Sequence, residues 1–478
     1  MSISRIGFGC YRIDDRVEEH YNALRKAVTS GITLIDTSAN YSDGRSEILI
    51  GNVITDLISE NKIHREDITL VTKGGYMQGQ NYKFALRRKK QGLPFKDVVE
   101  IEEGLWHCIS PDYLEDQINR QLFRLNQNDN YGYIDVYLLH NPEYFLKWAE
   151  LNDLDNANTL EEYYLRIKKA FEFLEDKVSE GKIKSYGVSS NSFPRKISKF
   201  DFTSLEKIIE CANSVKTDNN FKFIEFPFNL IESNAVLEKN HSGKSVIKCA
   251  EKNGIKVLVN RALNAITSQG LIRLADFEYN EVTENELLRQ VKFLCIMEDN
   301  LLDDKFPNFR IPPEDTKIIK SLFTFGENIK DNTLLFGSYE HLTDIIENYY
   351  SPRINYLLDY FETKISDDYT LENFNKYIKE VYRLFNYLSN FYRVTADKRA
   401  KYIHSIMNDI FDKKFHGLTL SQKAILMLNS IDGVDCVLVG ARKEKYVDDV
   451  LKILDYEKID NAMDIFEKIK NEIKNIVK

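Results

Sequence analysis

The stretch LIDTSANYSDGRSE, residues 34–47, decides how this chain folds. It opens as a buried strand: Leu34 and Ile35 follow Gly31, Ile32 and Thr33, and the apolar run stops at a carboxylate, Asp36. Five residues on, Tyr41 stands in a loop of Ser, Asn, Asp and Gly. A strand that ends on an acid, with a tyrosine just past it, places chemistry at the strand's C-terminal end. Where parallel strands alternate with helices, those ends gather on one face, and active sites are built there.

Runs of the same kind recur downstream: ITLVTK (68–73), YIDVYLLH (133–140), IKSYGVSS (183–190), FKFIEFPFN (221–229) and IKVLVNR (255–261). Each is short and rich in Ile, Val, Leu or aromatics, as strands buried on both faces are. Helical patterns lie between them. Ser110-Pro111 reads as an N-cap with proline at the first helical position. Thr203 and Glu206 have capping-box spacing, and a helix over 162–180 ends at Gly181. The grammar returns near the C-terminus as helix 420–430, strand GVDCVLVG (433–440) and helix 443–454. Counting from residues 34–36, seven strands are visible, and an eighth is expected near 454–460. The expected fold is α/β, a (β/α)8 TIM barrel with right-handed crossovers.

Between about 275 and 415 the strand grammar disappears. Phe374, Ile378, Val381, Phe385, Leu388 and Tyr392 recur at steps of four and three, one stripe of a helix. Ile403, Met407 and Ile410 mark a second helix, and Thr283 with Glu286 a capping box before a third. The expected organisation is a barrel over 1–274 and 415–478. An all-helical insertion over 275–414 lies between strand 6 (255–261) and its following barrel helix, and is expected to cover the C-terminal face. Residues 76–109 read as a long functional loop.

The chain has 478 residues, 43% hydrophobic and 29% charged, with a formal charge of −9, which argues against a nucleic-acid surface. Its six cysteines show no metal-ligand spacing. No apolar run approaches the roughly 20 residues needed to span a bilayer, and the N-terminus lacks a signal-peptide pattern. A cytoplasmic protein with no membrane or nucleic-acid partner and no metal is expected.

Asp36, Lys73 and His140 close three successive strands, with Tyr41 just beyond the first. A phenol is too weak an acid at its ordinary pKa near 10. A lysine beside it lowers that pKa, an aspartate anchors the lysine, and a histidine orients a carbonyl. That set suits carbonyl reduction, with Tyr41 as the general acid.

GITLIDTSANYSDGRSEILIG, LVTKGG, DVYLLHNPE and YGVSSNSF resemble the signature segments of the aldo-keto reductases. The resemblance covers residues 5–75, 110–265 and 416–478. It implies a barrel enzyme that interconverts carbonyls and alcohols with NADP(H) or NAD(H), using the tetrad Asp36, Tyr41, Lys73 and His140. It also implies a cofactor site. Gly9, Cys10 and Tyr11 fall near the nicotinamide. Ser189, Ser190 and Asn191 stand at the carboxamide segment, with Ser190 where the family usually has Asn. Glu225 replaces the usual Gln, and Phe228 takes the place of the stacking aromatic. Arg261 and Leu263 fall near the pyrophosphate. Gly440, Arg442, Lys443, Lys445 and Tyr446 fall in the adenosine-phosphate segment. The charge of Arg442, Lys443 and Lys445 favours the 2′-phosphate of NADP(H). An alternative of another class is a dinucleotide-binding regulatory or scaffold protein whose insertion binds a partner.

Overall fold

The computed structural model describes residues 3–125, 132–267 and 270–474. Eight parallel strands close a barrel: β1 Ile6–Gly9, β2 Leu34–Asp36, β3 Thr69–Gly74, β4 Ile134–His140, β5 Ile183–Ser189, β6 Phe221–Pro227, β7 Lys256–Asn260 and β8 Cys436–Val439. Ile6 pairs with Val437 and Phe8 with Ile35, so β1 seals the ring between β8 and β2. The eighth strand is therefore at the N-terminus. Residues 454–460, expected to supply it, hold the end of a 3-10 turn (Lys452–Asp455) and irregular chain.

The reason β1 escapes notice is physical. It is four residues long and two are glycine. A Cβ at Gly7 would lie 2.7 Å from Leu438 Cδ2 and 2.9 Å from Cys436 Sγ, so packing inside the barrel demands glycine where a strand pattern wants an apolar side chain. With β1 counted, the strand at 256–260 is the seventh. The insertion thus lies between strand 7, not strand 6, and its following barrel helix, Leu420–Ser430. Leu34, Val71, Val136, Leu138, Phe223, Leu258, Cys436 and Leu438 fill the barrel interior.

The helix after β3 runs Pro111–Leu125, with proline at its first position. After β4 come a short helix, Tyr144–Leu151, and a long one, Asn156–Ser179; Asp155 caps the long one, accepting from Asn158 N, and Gly181 follows it at φ 75°. Ser204, not Thr203, caps the helix Leu205–Val215. Thr203 is buried, its hydroxyl bonded to Tyr163 Oη and Ser192 Oγ, so it is unavailable to the helix. Residues 76–109 are not a loop. The strands Tyr76–Met77, Val99–Glu102 and Leu105–His107 form a small antiparallel sheet beside the helix Gly79–Lys90. The basic tract at 87–90 forms that helix's last turn, where cations suit the helix dipole.

The described residues divide into two compact units, one within 3–263 and 421–471, the other within 264–420 and 472–474. The second opens with a hairpin, Asn264–Thr267 against Gly270–Arg273, and is helical thereafter among the described residues. Thr283 and Glu286 form the expected capping box. A single helix, Asp368–Ile410, carries both expected stripes. No glycine or proline lies between Tyr392 and Ile403 to break it. Phe374, Tyr377, Val381, Leu384 and Leu388 pack in this unit's core. There Glu298, buried, accepts hydrogen bonds from Tyr377 Oη at 2.6 Å and Gly326 N at 2.8 Å.

Candidate active site

The ends of β2, β3 and β4 are neighbours in the barrel, and they bring Asp36, Lys73 and His140 together. Tyr41 is added by a sharp turn. Ser42, Asp43 and Gly44 follow it at φ 47°, 55° and 87°, which explains why small and turn-forming residues stand there. The turn is pinned on every side. Ser42 Oγ donates to the Ile13 carbonyl at 2.6 Å, and Asp43 Oδ1 accepts from Gln80 N at 2.9 Å. Ser46 Oγ lies 2.8 Å from Thr37 Oγ1 and donates to the Cys10 carbonyl. Glu47, fully buried, accepts from Arg124, Thr72 and Gln121.

Lys73 Nζ donates to Asp36 Oδ1 at 2.5 Å and to the Thr37 carbonyl at 3.2 Å. It lies 5.2 Å from the centre of the Tyr41 ring. Glu225, from β6, brings a second carboxylate to 3.2 Å from the same nitrogen. Its other oxygen accepts from Asn260 Nδ2 at 2.7 Å. Burial pulls the Lys73 ammonium toward neutrality, but Asp36 and Glu225 together hold its pKa above the usual range. Burial and the nearby Glu225 raise the Asp36 carboxyl well above its ordinary value, against the pull of Lys73.

The expected lowering of the Tyr41 pKa is not what this geometry yields. Burial raises it, Lys73 lowers it in part, and Asp36 and Glu225 raise it again, leaving the phenol above its ordinary value. His140 is held well below the usual imidazole range by burial, Lys73 and His107, so it is neutral. Its Nδ1 lies 3.0 Å from Ser38 Oγ.

An aromatic wall surrounds these groups. The Tyr76 ring meets His140 edge-on at 4.7 Å, Tyr41 meets His140 at 6.0 Å, and Tyr11 meets Tyr41 at 5.2 Å. Asn141 Nδ2 donates to Tyr76 Oη, and His107 Nε2 bonds the His140 carbonyl at 2.7 Å. Gly75 makes room for this: a Cβ there would lie 2.7 Å from both His107 Nε2 and the His140 carbonyl oxygen. Tyr76 and His107 were not singled out from the sequence. The double glycine after Lys73 was the available signal of close approach.

The remaining expected positions are spread around the barrel. Gly9 ends β1 and Gly440 follows its partner strand β8, and Cys10 is buried behind Asp36, its amide donating to the Asp36 carbonyl. Ser189 ends β5. Ser190 Oγ donates to Glu143 Oε2, and Asn191 N donates to Glu143 Oε1, both at 2.9 Å. Burial raises the Glu143 carboxyl to about 7. Phe228 is fully buried, its ring 5.3 Å from Phe466. Arg261, at φ 55°, pairs with Glu232 at 2.9 Å, and Leu263 is half-buried. Lys443 Nζ pairs with Glu19 at 3.0 Å. Arg442 is half-buried, while Lys445 and Tyr446 are exposed, with the Lys445 ammonium 5.4 Å from the Tyr446 ring.

Glu225 Oε2 makes the ion pair to Lys73 but no hydrogen bond, and Asn260 Oδ1 and Arg261 Nε are buried without hydrogen-bond partners. Two acceptors and a cationic donor at the ends of β6 and β7 fit a dinucleotide, which offers an amide N–H and phosphates. Among the described residues no cluster of metal-ligating side chains exists, and no helix is long and apolar enough to cross a membrane.

The sequence profile of the Aldo/keto reductase family matches residues 5–293. The uncharacterised oxidoreductase YqkF of Bacillus subtilis is 27% identical over 190 residues, covering 40% of this chain and 46% of that protein. The NADH-specific methylglyoxal reductase of Escherichia coli is 24% identical over 199 residues, covering 40% and 49%. The chain thus spans about half the length of the curated relatives it matches. Among solved structures, the glycerol dehydrogenase AKR11B4 of Gluconobacter oxydans superposes with a TM-score of 0.47 at 16% identity, covering 98% of this chain and 92% of the other.

Proposed function

Since the chain belongs to the aldo/keto reductase family, we propose that it is an NAD(P)H-dependent oxidoreductase that reduces an aldehyde or ketone to an alcohol, or runs the reverse reaction. The observation that carries this reading is the convergence of Asp36, Tyr41, Lys73 and His140 at neighbouring strand ends of one barrel. A bound nicotinamide supplies the hydride. Everything else is the work of this chain's residues. Tyr41 Oη gives its proton to the carbonyl oxygen as the hydride reaches the carbon, and the tyrosinate that forms is balanced by the Lys73 ammonium. Neutral His140, in the tautomer that carries its proton on Nε2 and accepts a hydrogen bond from Ser38 Oγ at Nδ1, donates to the same oxygen and so orients the carbonyl.

The residues named above at the ends of β1, β5, β6, β7 and β8 would hold the cofactor. Arg442, Lys443 and Lys445 favour NADP(H) over NAD(H). Six unpaired cysteines suit a reducing, cytoplasmic setting, and the partner is a small carbonyl or alcohol, with no nucleic acid or membrane. The insertion at 275–414 departs from the C-terminal end of β7, the end of the barrel at which the four residues stand. A panel of aldehydes, ketones and sugars, assayed with NADPH and with NADH, tests the activity. No turnover of any member, or turnover that survives in Tyr41→Phe, would overturn it.

A further inference from the structure

Lys73 has three N–H bonds to give. Its nitrogen donates to Asp36 Oδ1 at 2.5 Å and to the Thr37 carbonyl at 3.2 Å, and Glu225 Oε2 stands 3.2 Å away as an ion-pair partner without a hydrogen bond. Both carboxylates and the lysine are buried. Glu225 is itself fixed, because Asn260 holds its other oxygen. Tyr41 therefore faces an ammonium that it shares with a second buried carboxylate beside Asp36.

We propose that Glu225 is a positioning residue that competes with Tyr41 for the Lys73 ammonium, and so restrains proton transfer at Tyr41. The proposal rests on the reading of Tyr41 as the proton-transferring group. With Gln at position 225, the amide oxygen keeps its bond to Asn260. The amide NH2 then turns toward Lys73, which cannot accept. The carboxylate no longer draws on the ammonium's charge, and the repulsion between a carboxylate and the forming tyrosinate disappears. The other groups near the pair act in the background. Cys10 and Cys436 lie behind Asp36 with their thiols held protonated by burial, and His140 and His107 are neutral. The exposed Tyr11 ring meets Tyr41 only through its edge. Charge at the phenol is governed by Lys73, Asp36 and Glu225.

The test is the ionisation of Tyr41, read as tyrosinate absorbance after a rapid alkaline pH jump and assigned by its loss in Tyr41→Phe. Glu225→Gln moves that ionisation downward by about one pH unit or more relative to the wild type. Glu225→Leu, which removes the charge and the acceptor together, moves it the same way and serves if the Gln variant does not fold. An unchanged Tyr41 ionisation in whichever variant folds overturns the proposal. The readout needs no turnover, so the two readings fail separately. A shift without carbonyl reduction sinks the proposed activity alone, and reduction without a shift sinks the role of Glu225 alone.

Discussion

Asp36 Oδ1 accepts a hydrogen bond from Lys73 Nζ at a point where neither side chain is open to water. In most buried ion pairs, loss of one partner strands the other at a cost of about 3–5 kcal/mol. Here the pair is a trio, and the two directions of damage differ. Asp36→Asn leaves Lys73 with Glu225. Lys73→Met leaves two buried carboxylates with no cation. The folded-state pKa of Asp36 is already raised, so its unfolded form releases its proton first as pH climbs, and stability falls through that window. Lys73→Met should widen the window. We expect its melting temperature to fall steeply from pH 5 to pH 8, and that of Asp36→Asn to change little. Calorimetric scans at both pH values check this, and parallel curves for the two variants would refute it.

Tyr41→Phe keeps the ring that packs against Tyr11 and His140 and removes only the hydroxyl. Carbonyl reduction should fall by about two orders of magnitude or more, the usual weight of a general acid. Cofactor affinity, measured by fluorescence titration, should stay within a few-fold. Equal losses in both would show that Tyr41 holds the fold of the turn and does not move a proton.

Glu143 gives a pH dependence of its own. Its folded pKa is about 7 against an ordinary 4.5, because the carboxyl is fully buried. The protonated form favours the fold, so its contribution is present below the unfolded value and is lost as pH rises through about 7. The whole span corresponds to about 3 kcal/mol. Gln at this position copies the protonated acid: its oxygen accepts from Asn191 N and its amide donates to Ser190 Oγ. Glu143→Gln should therefore gain stability over the wild type as pH rises from 5 to 8. Urea unfolding across that range measures it, and a constant difference between the two proteins would count against the assignment.

Asp36, Lys73 and His140 were legible because each stands where an apolar run stops, and strand ends are marked by that change; Tyr41 follows the first of them in a turn of small and polar residues. The barrel was legible for the same reason, from β2 onward. What failed to show were features set by contacts across the sequence. Gly7 hides β1, since the neighbouring side chains Leu438 and Cys436 leave it no room for one of its own. The pairing of Glu225 with Lys73 joins residues from β6 and β3, and no local pattern announces it. Glu225 stands where the family usually has glutamine, yet its partner is apparent only in three dimensions. Thr203 has the spacing of a cap but spends its hydroxyl on Tyr163 and Ser192, leaving the cap to Ser204.

The basic residues after β8 are unequal. Lys443 pairs with Glu19 on the surface, and pairs of that kind contribute little and are screened by salt. To meet a phosphate, Lys443 must leave Glu19, so its net gain is small. Lys445 is exposed and lies by the Tyr446 ring. Arg442 is half-buried, and its charge is felt by His20, which it helps hold below the ordinary imidazole range after burial. A less hydrated guanidinium with a two-pronged donor face is the better phosphate partner. We therefore expect Arg442→Ala to weaken NADPH by about tenfold or more, the loss of one charge-assisted contact. NADH, which lacks the 2′-phosphate, should be nearly unaffected. Lys443→Ala should cost NADPH no more than about threefold. Calorimetric titration of both cofactors against the three proteins decides the matter. If Arg442→Ala weakens NADPH and NADH alike, the guanidinium acts on the shared part of the dinucleotide, and this cluster does not select NADP(H).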